Sequence, residues 1–330
     1  MDFSFRPATV NDIKPCLSLF FDRFAFRTRK SLDDLVSFWR YAIPQGIIIS
    51  AVTEERRASL PPKVVALGMS LFVTDKFAQE CKTTLSPYTS LQVIRRWKAK
   101  HRVFLTPQEI SSSNSSNGLN ILILHYGVEK TSSSERFAQV NSKMGEAFYA
   151  MHAGYKLKEF LYEVYGDSEK KRQITNGLFV RRDYHELLDP QDRRSPNAPY
   201  FLGITRAEAT IPQANFGMSM IFSYTPPRFG FSPAEKLLLQ RGLAGESDQE
   251  MASYLKLSIW TVKKGWQRIY ARVEKKDPGL MASGKTAGKP GEEASWAQRR
   301  RKLLEYLRTH MEEIRPGPPP RRGPLPKTKK

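Results

Sequence analysis

Three helix starts crowd into the stretch from Phe231 to Val273, and that spacing constrains the chain more than any other feature. Ser232-Pro233-Ala234-Glu235 places a serine three residues ahead of a glutamate, with proline at the first helical position; Ser247-Asp248-Gln249-Glu250 repeats the arrangement. In such a pair the serine oxygen accepts the amide of the third helical residue and the carboxylate accepts the amide of the serine, so each marks a helix beginning. Starts this close force the helices to be short. The first is expected to bury Leu237, Leu238 and Leu243 and to close at Ala244-Gly245, where glycine can turn left-handed. The second sets Met251, Ala252 and Leu255 on one face. Ser258 caps a longer third helix, from about Ile259 to Val273, whose apolar stripe is Val262, Trp266, Ile269 and Val273.

The opposite face of that third helix carries Trp260, Lys264, Gln267 and Ala271, flanked by Lys263 and Arg268, with no acid before Glu274. A short helix, a tight turn and a longer helix with a cationic, amide-bearing first half is what entry into a DNA major groove requires. The residues Phe231-Ser232-Pro233-Ala234-Glu235, Ala244-Gly245, Glu250-Met251-Ala252, Leu257-Ser258, Thr261-Val262-Lys263 and Arg268-Ile269 resemble, without a gap, the LuxR/FixJ (GerE-type) helix-turn-helix. That resemblance implies binding of double-stranded DNA through Ser258, Trp260, Thr261, Lys263, Lys264, Gln267 and Arg268. Two departures stand out. Ile259 and Trp260 occupy positions usually polar, leaving Trp260 open between packing at the helix entrance and apolar contact with a base. Gly265 stands where histidine is common, and its cost of about 1 kcal/mol relative to alanine is expected to be offset by close packing against the second helix.

Charge supports a polyanionic partner: 53 Lys and Arg against 33 Asp and Glu give +20, and residues 226–330 alone carry +12. Pro226-Pro227 interrupts regular structure, so a domain boundary is expected near residue 226. Downstream the chain divides into a helix-turn-helix domain (226–280), a linker (281–293), a helix (294–314) and a disordered Pro/Arg/Lys tail (315–330). The stripe Leu303, Leu304, Leu307, Met311 and Ile314 must cover either the N-terminal domain or a second copy of the chain, and the copy is preferred, giving a homodimer. The run Arg299 to Lys302 suits nucleic acid or plain solubility equally. No apolar stretch approaches the roughly 20 residues of a membrane span. The N-terminus has no secretory pattern, so the chain is expected to start as mature protein. Cys16 and Cys81 share no short spacing with each other or a histidine, which suggests neither a disulfide framework nor zinc, and a reducing, nucleoid-associated cytoplasmic setting.

The first 225 residues mix strand and helix signals. Phe3 to Ala8 alternates; Ile13 to Phe26 is helical; Ile47 to Val52, Val64 to Val73 and Leu119 to Tyr126 are strand-like; Gly177 to Arg182 and Gly217 to Tyr224 suggest late strands. Ser111 to Gly118 and Pro190 to Pro199 suggest loops. An α+β domain with a mixed sheet follows, beside the small all-α C-terminal domain. Phe5-Arg6-Pro7-Ala8-Thr9 with Asp12-Ile13, then Asn141, Ala147-Phe148-Tyr149 and Ala153-Gly154-Tyr155-Lys156 before Glu159 to Tyr165, resemble the opening, late helix, turn and last strand of a GNAT acetyltransferase over about residues 3–165. Such enzymes hold the diphosphate of acetyl-CoA on a glycine-rich turn at a helix start. Thr74 to Glu80 and Gly127 to Ser132 lack it. Tyr149, where many members carry a general-acid tyrosine, reads as a helix-core aromatic, and His101, His125, His152 and His185 as scattered single residues.

No catalytic, cofactor-binding or metal-ligating residue is therefore assigned. The expectation is a transcription regulator rather than an enzyme, with an N-terminal domain answering to an unknown small-molecule or protein signal. The alternative is an N-acetyltransferase-like enzyme with an appended DNA-binding module.

Overall fold

A computed structural model describes residues 2–20, 28–57, 60–193, 195–211, 216–281 and 296–316. The linker 281–293 beyond Met281 and the tail beyond Pro316 lie outside the described residues. The chain divides into two compact units: residues 1–152 with 156–223, and residues 153–155 with 224–330.

The first unit is built on seven strands: β1 (Asp2–Pro7), β2 (Ile48–Arg57), β3 (Leu60–Val73), β4 (Leu119–Val128), β5 (Leu157–Tyr165), β6 (Phe179–Asp183) and β7 (Pro199–Thr205). They lie in the order β1-β2-β3-β4-β5-β7-β6. Every neighbouring pair is antiparallel except β4 and β5, which run parallel. This is the mixed α/β sheet that the GNAT resemblance implies. It extends past the segment that carried the resemblance, because Glu159 to Tyr165 is the fifth strand and β7 inserts between it and β6. Helices α1 (Ile13–Phe20), α2 (Arg29–Ala42), α3 (Asp75–Thr83), α4 (Thr89–Lys98), α5 (Pro107–Ser115), α6 (Ser134–His152), α7 (Asp167–Thr175), α8 (Pro190–Arg193), α9 (Arg206–Ala209) and α10 (Phe216–Ile221) complete the unit. The parallel pair needs a crossover, and α6 supplies it.

The sheet's two faces differ in packing. One core gathers Leu35, Phe38 and Trp39 of α2 with Leu67, Leu71, Leu122 and Leu124 of the sheet, all buried. Val65, Ala66 and Val128 meet Val140 and Met144 of α6 in a second cluster.

Three local expectations fail here. Ser111 to Ser115 is helical, because Thr106 and Glu109 form a capping box around Pro107 and the serine hydroxyls turn back on the helix: Ser115 donates to the carbonyl of Ser111 at 2.9 Å. Serine competes with the backbone for such bonds and so disfavours helix interiors, and here the capping box outweighs that preference. Gly217 to Tyr224 is not a strand; α10 occupies most of it. Likewise Pro190 opens a helical turn rather than a loop.

The second unit contains α11 (Pro233–Leu243), α12 (Asp248–Leu255), α13 (Ile259–Lys276), α14 (Pro278–Met281) and α15 (Trp296–Thr309). Ser232 and Glu235 exchange bonds at 3.3 and 2.7 Å, as do Ser247 and Glu250, and the Ser258 hydroxyl accepts the Thr261 amide at 3.1 Å. Val262, Trp266, Ile269 and Val273 are buried as their spacing predicts, and Gly245 is left-handed. Leu237 is the exception: it faces out, and Leu239 is buried in its place. A β-carbon on Gly265 would come within 2.5 Å of Leu238 Cδ1. The close packing that tolerates this glycine is therefore against α11, not against the second helix.

Leu303, Leu307 and Ile314 are buried in this unit's own core with Leu238, Leu239 and Trp266. The stripe on 294–314 thus has an intramolecular partner, and the argument for a homodimer built on it fails. Burying each such side chain contributes about 1.5–3 kcal/mol. Arg300, from the basic run, pairs with Asp248 at 2.7 Å and stands 4.4 Å over the Trp266 ring. No described helix is long and apolar enough to cross a membrane.

Candidate active site

The antiparallel ladder between β3 and β4 slips once: Met69 opposes His125, and Ser70 opposes Ile123. Leu124 is the extra residue of a β-bulge, a device that re-aims side chains and strengthens local twist. At the same level the pairing of β4 with β5 ends, its last partners being Ile123 and Tyr162. Bulge and split leave a cavity of about 320 Å³ under α6, walled by β2 to β5, α6 and α7. Ile123 before the bulge and Tyr126 after it both line this cavity, whereas Leu122 and Leu124 belong to the opposite core.

The wall is mainly apolar and aromatic, with Met69, Met144, Phe148, Tyr149, Phe160 and Tyr162, and a few polar groups converge on it. Ser70 Oγ lies 2.7 Å from His152 Nε2, and His152 Nδ1 lies 2.7 Å from the carbonyl of Phe148. Tyr126 donates its hydroxyl to Asn141 Oδ1. Burial pushes the His125 imidazole down to about 3, so that ring is neutral at physiological pH. Burial likewise raises the phenols of Tyr149 and Tyr162. Arg172 of α7, at the rim, pairs with Glu169 at 2.7 Å. No Asp or Glu is among the residues that line the cavity. The result is an apolar chamber with a few polar groups in its wall, a ligand-site composition.

Sequence reasoning missed this site. His125 and His152, read as unrelated, line one chamber, and Tyr149 is half-buried at its wall rather than in a helix core. The one available signal was the serine inside the apolar run Val64 to Val73: a polar residue on a central strand has to find a partner.

The residues expected to bind DNA belong to the second unit. Ser258 caps α13 and bonds the Thr261 hydroxyl at 2.8 Å. Lys263, Lys264, Gln267 and Arg268 are exposed along α13. Trp260 is 68% exposed, with the Lys264 ammonium 4.7 Å from its ring centre, so it does not pack at the helix entrance.

No family model matches the chain, and no curated protein does. Solved structures do. One is histone acetyltransferase HPA2 and related acetyltransferase from Corynebacterium glutamicum, at 10% identity over 62% of this chain and 96% of that one, with a TM-score of 0.35. A spermidine N-acetyltransferase SpeG chimera from Vibrio cholerae and hSSAT gives 11% over 63% and 98%, at 0.36. Arabidopsis thaliana NAA60 in complex with acetyl-CoA gives 14% over 62% and 98%, at 0.38. At such identities and scores no residue's role passes to this chain. Two expectations are nonetheless corrected. The chain was expected not to be an enzyme and to be a DNA-binding transcription regulator of LuxR type; the proteins similar to it are titled acetyltransferases, and the built chamber lies in the unit they resemble.

Proposed function

We propose that the N-terminal unit is an acyltransferase that passes an acyl group from a thioester to an amine. The observation that carries this reading is the chamber opened where the β4 bulge coincides with the end of the β4–β5 pairing. Strands that part leave backbone groups facing an apolar slot, which suits an extended amide-bearing arm ending in a thioester. The His152 imidazole and the phenols along its wall suit proton transfer from an attacking amine.

The nucleotide end of acyl-CoA fits less well. At the start of α6 the Ser133 hydroxyl already accepts the Arg136 amide, and the Thr131 hydroxyl accepts that of Ser133, both at 3.2 Å. Glu129 adds negative charge there, paired with Lys63 and Arg136. A diphosphate would meet occupied amides and an acid, so no binding step is assigned to it. The amine-bearing partner is expected to be aromatic or apolar rather than a polyamine, since no carboxylate lines the chamber to hold a second cation.

Thiol release from S-acetyl-N-acetylcysteamine and from acetyl-CoA, with an arylalkylamine or spermidine as acceptor, tests the reading. Release should be fastest with the arylalkylamine. Gly145, on α6 with open space beside it, faces the chamber; Gly145→Phe should fill it and abolish turnover. No amine-dependent thiol release from either donor would reject the proposal.

A further inference from the structure

The Ser70–His152 pair has more order than burial alone demands. Ser70 is 2% and His152 3% exposed, yet both line the chamber. A carbonyl oxygen can only accept, so His152 Nδ1 carries a ring proton toward Phe148, and in the neutral ring Nε2 is the acceptor for the Ser70 hydroxyl. Hydroxyl, base and a third group that fixes the base are the parts of an activated nucleophile. The anchor is a main-chain carbonyl four residues back on the same helix, so the imidazole cannot turn without breaking that bond.

Resting on the acyltransferase reading, we propose that transfer proceeds through an acyl ester on Ser70. The Ser70 oxygen attacks the thioester carbonyl carbon as its proton moves to His152 Nε2. The C–S bond then breaks, and the leaving sulfur takes that proton from His152 to depart as a thiol. In the second half the amine nitrogen attacks the ester carbonyl and loses a proton to His152 Nε2. The C–O bond breaks, the amide departs, and the Ser70 oxygen recovers the proton. No oxidant, metal or further reactant is consumed.

The test uses the full-length chain and 4-nitrophenyl acetate, which supplies an acetyl group without any nucleotide. A burst of one nitrophenolate per chain is expected, and acid quenching followed by peptide mass spectrometry should find the acetyl group on Ser70. Ser70→Ala should lose the burst. His152→Gln should slow it by about 100-fold or more, and Ser70→Cys should restore labelling as a hydroxylamine-sensitive thioester. An acetyl group found only on other residues, or none at all, overturns the proposal, and the wild-type labelling site decides this even if a variant fails to fold. Amine-dependent thiol release that persists within severalfold in Ser70→Ala also overturns it, while leaving the acyltransferase reading intact. Labelling of Ser70 with no transfer to any amine does the reverse.

Discussion

The sheet face under α6 and the helical core of the second unit solve the same packing problem in opposite ways. In the helical unit, small residues are spaces already taken: a β-carbon on Gly242 would sit 2.9 Å from Trp266 Cη2 and 3.2 Å from Leu304 Cδ2. Under α6, a β-carbon on Gly145 would meet nothing within 4 Å. Polar groups follow the same division. The helical unit uses serines and acids mainly at helix ends, whereas the sheet face buries Ser70 and His152 beside empty volume. A closed core maximises contact; an opened one forgoes contact to admit a ligand.

The largest expected effect lies in the helical unit. Glu313 is fully buried and accepts the amides of Arg228 and Phe229 at 2.6 and 3.0 Å. Glu313→Ala leaves two donors without an acceptor and should cost ~2–6 kcal/mol, read as a drop in urea midpoint. A loss under 0.5 kcal/mol on the order of surface substitutions would show that this core is less closed than its distances suggest.

Next comes Gly242→Ala. Helix propensity favours alanine by about 1 kcal/mol, but the rigid indole of Trp266 stands in the way, so a net loss of roughly 1–3 kcal/mol is expected from overpacking. Gly145→Ala has the same propensity gain without the obstacle and should stabilise by about 0.5–1 kcal/mol. Opposite signs for one substitution in two helices would sharpen the contrast; equal signs in thermal melts would break it.

The smallest effect concerns acid. Burial works upward on Glu208, yet the Arg181 guanidinium and the amide and hydroxyl of Thr205 hold its carboxyl at about 2, below the ordinary 4.5. A lowered carboxyl contributes stability that is present above the unfolded value and lost as pH falls toward the folded one. Between pH 4.5 and about 2 the first unit should weaken, and Glu208→Gln should flatten that limb. Glu313, raised by burial, acts in the opposite sense: its contribution is present below the unfolded value and lost as pH rises through the folded one. Hydrogen exchange across an acid series follows the two units separately.

The same division governs how much could be read from the residues. Capping boxes are local, so Ser232, Ser247 and Ser258 announced three helices to within a residue or so. The alternation and apolar runs of β1 to β4 were also local. Nothing local, however, distinguishes Ser70 from any other serine in an apolar run, or brings it to a histidine that lies on a different element. The chamber exists because β3, β4, α6 and α7 meet, and its wall depends on a register slip that an unbroken run of Leu, Ile and His does not display. Charge misled for a related reason: Arg300 counted toward a polyanion-binding surface until its bond to Asp248 and its place over Trp266 were visible.

Leu124 gives the site an unusual kind of dependence. Odd-numbered Ile123 and even-numbered Tyr126 face the same chamber only because one surplus residue shifts the phase of the strand between them. Replacing Leu124 by another apolar residue keeps that phase. Deleting it leaves Ile123 and Tyr126 two positions apart, so plain alternation keeps both on the chamber face, and what is lost is the local kink and twist of the bulge. The damaging change is to flatten the strand with Leu124 still in it, because a spacing of three under strict alternation sends Tyr126 to the opposite face. What this point of the fold holds is the phase of the strand.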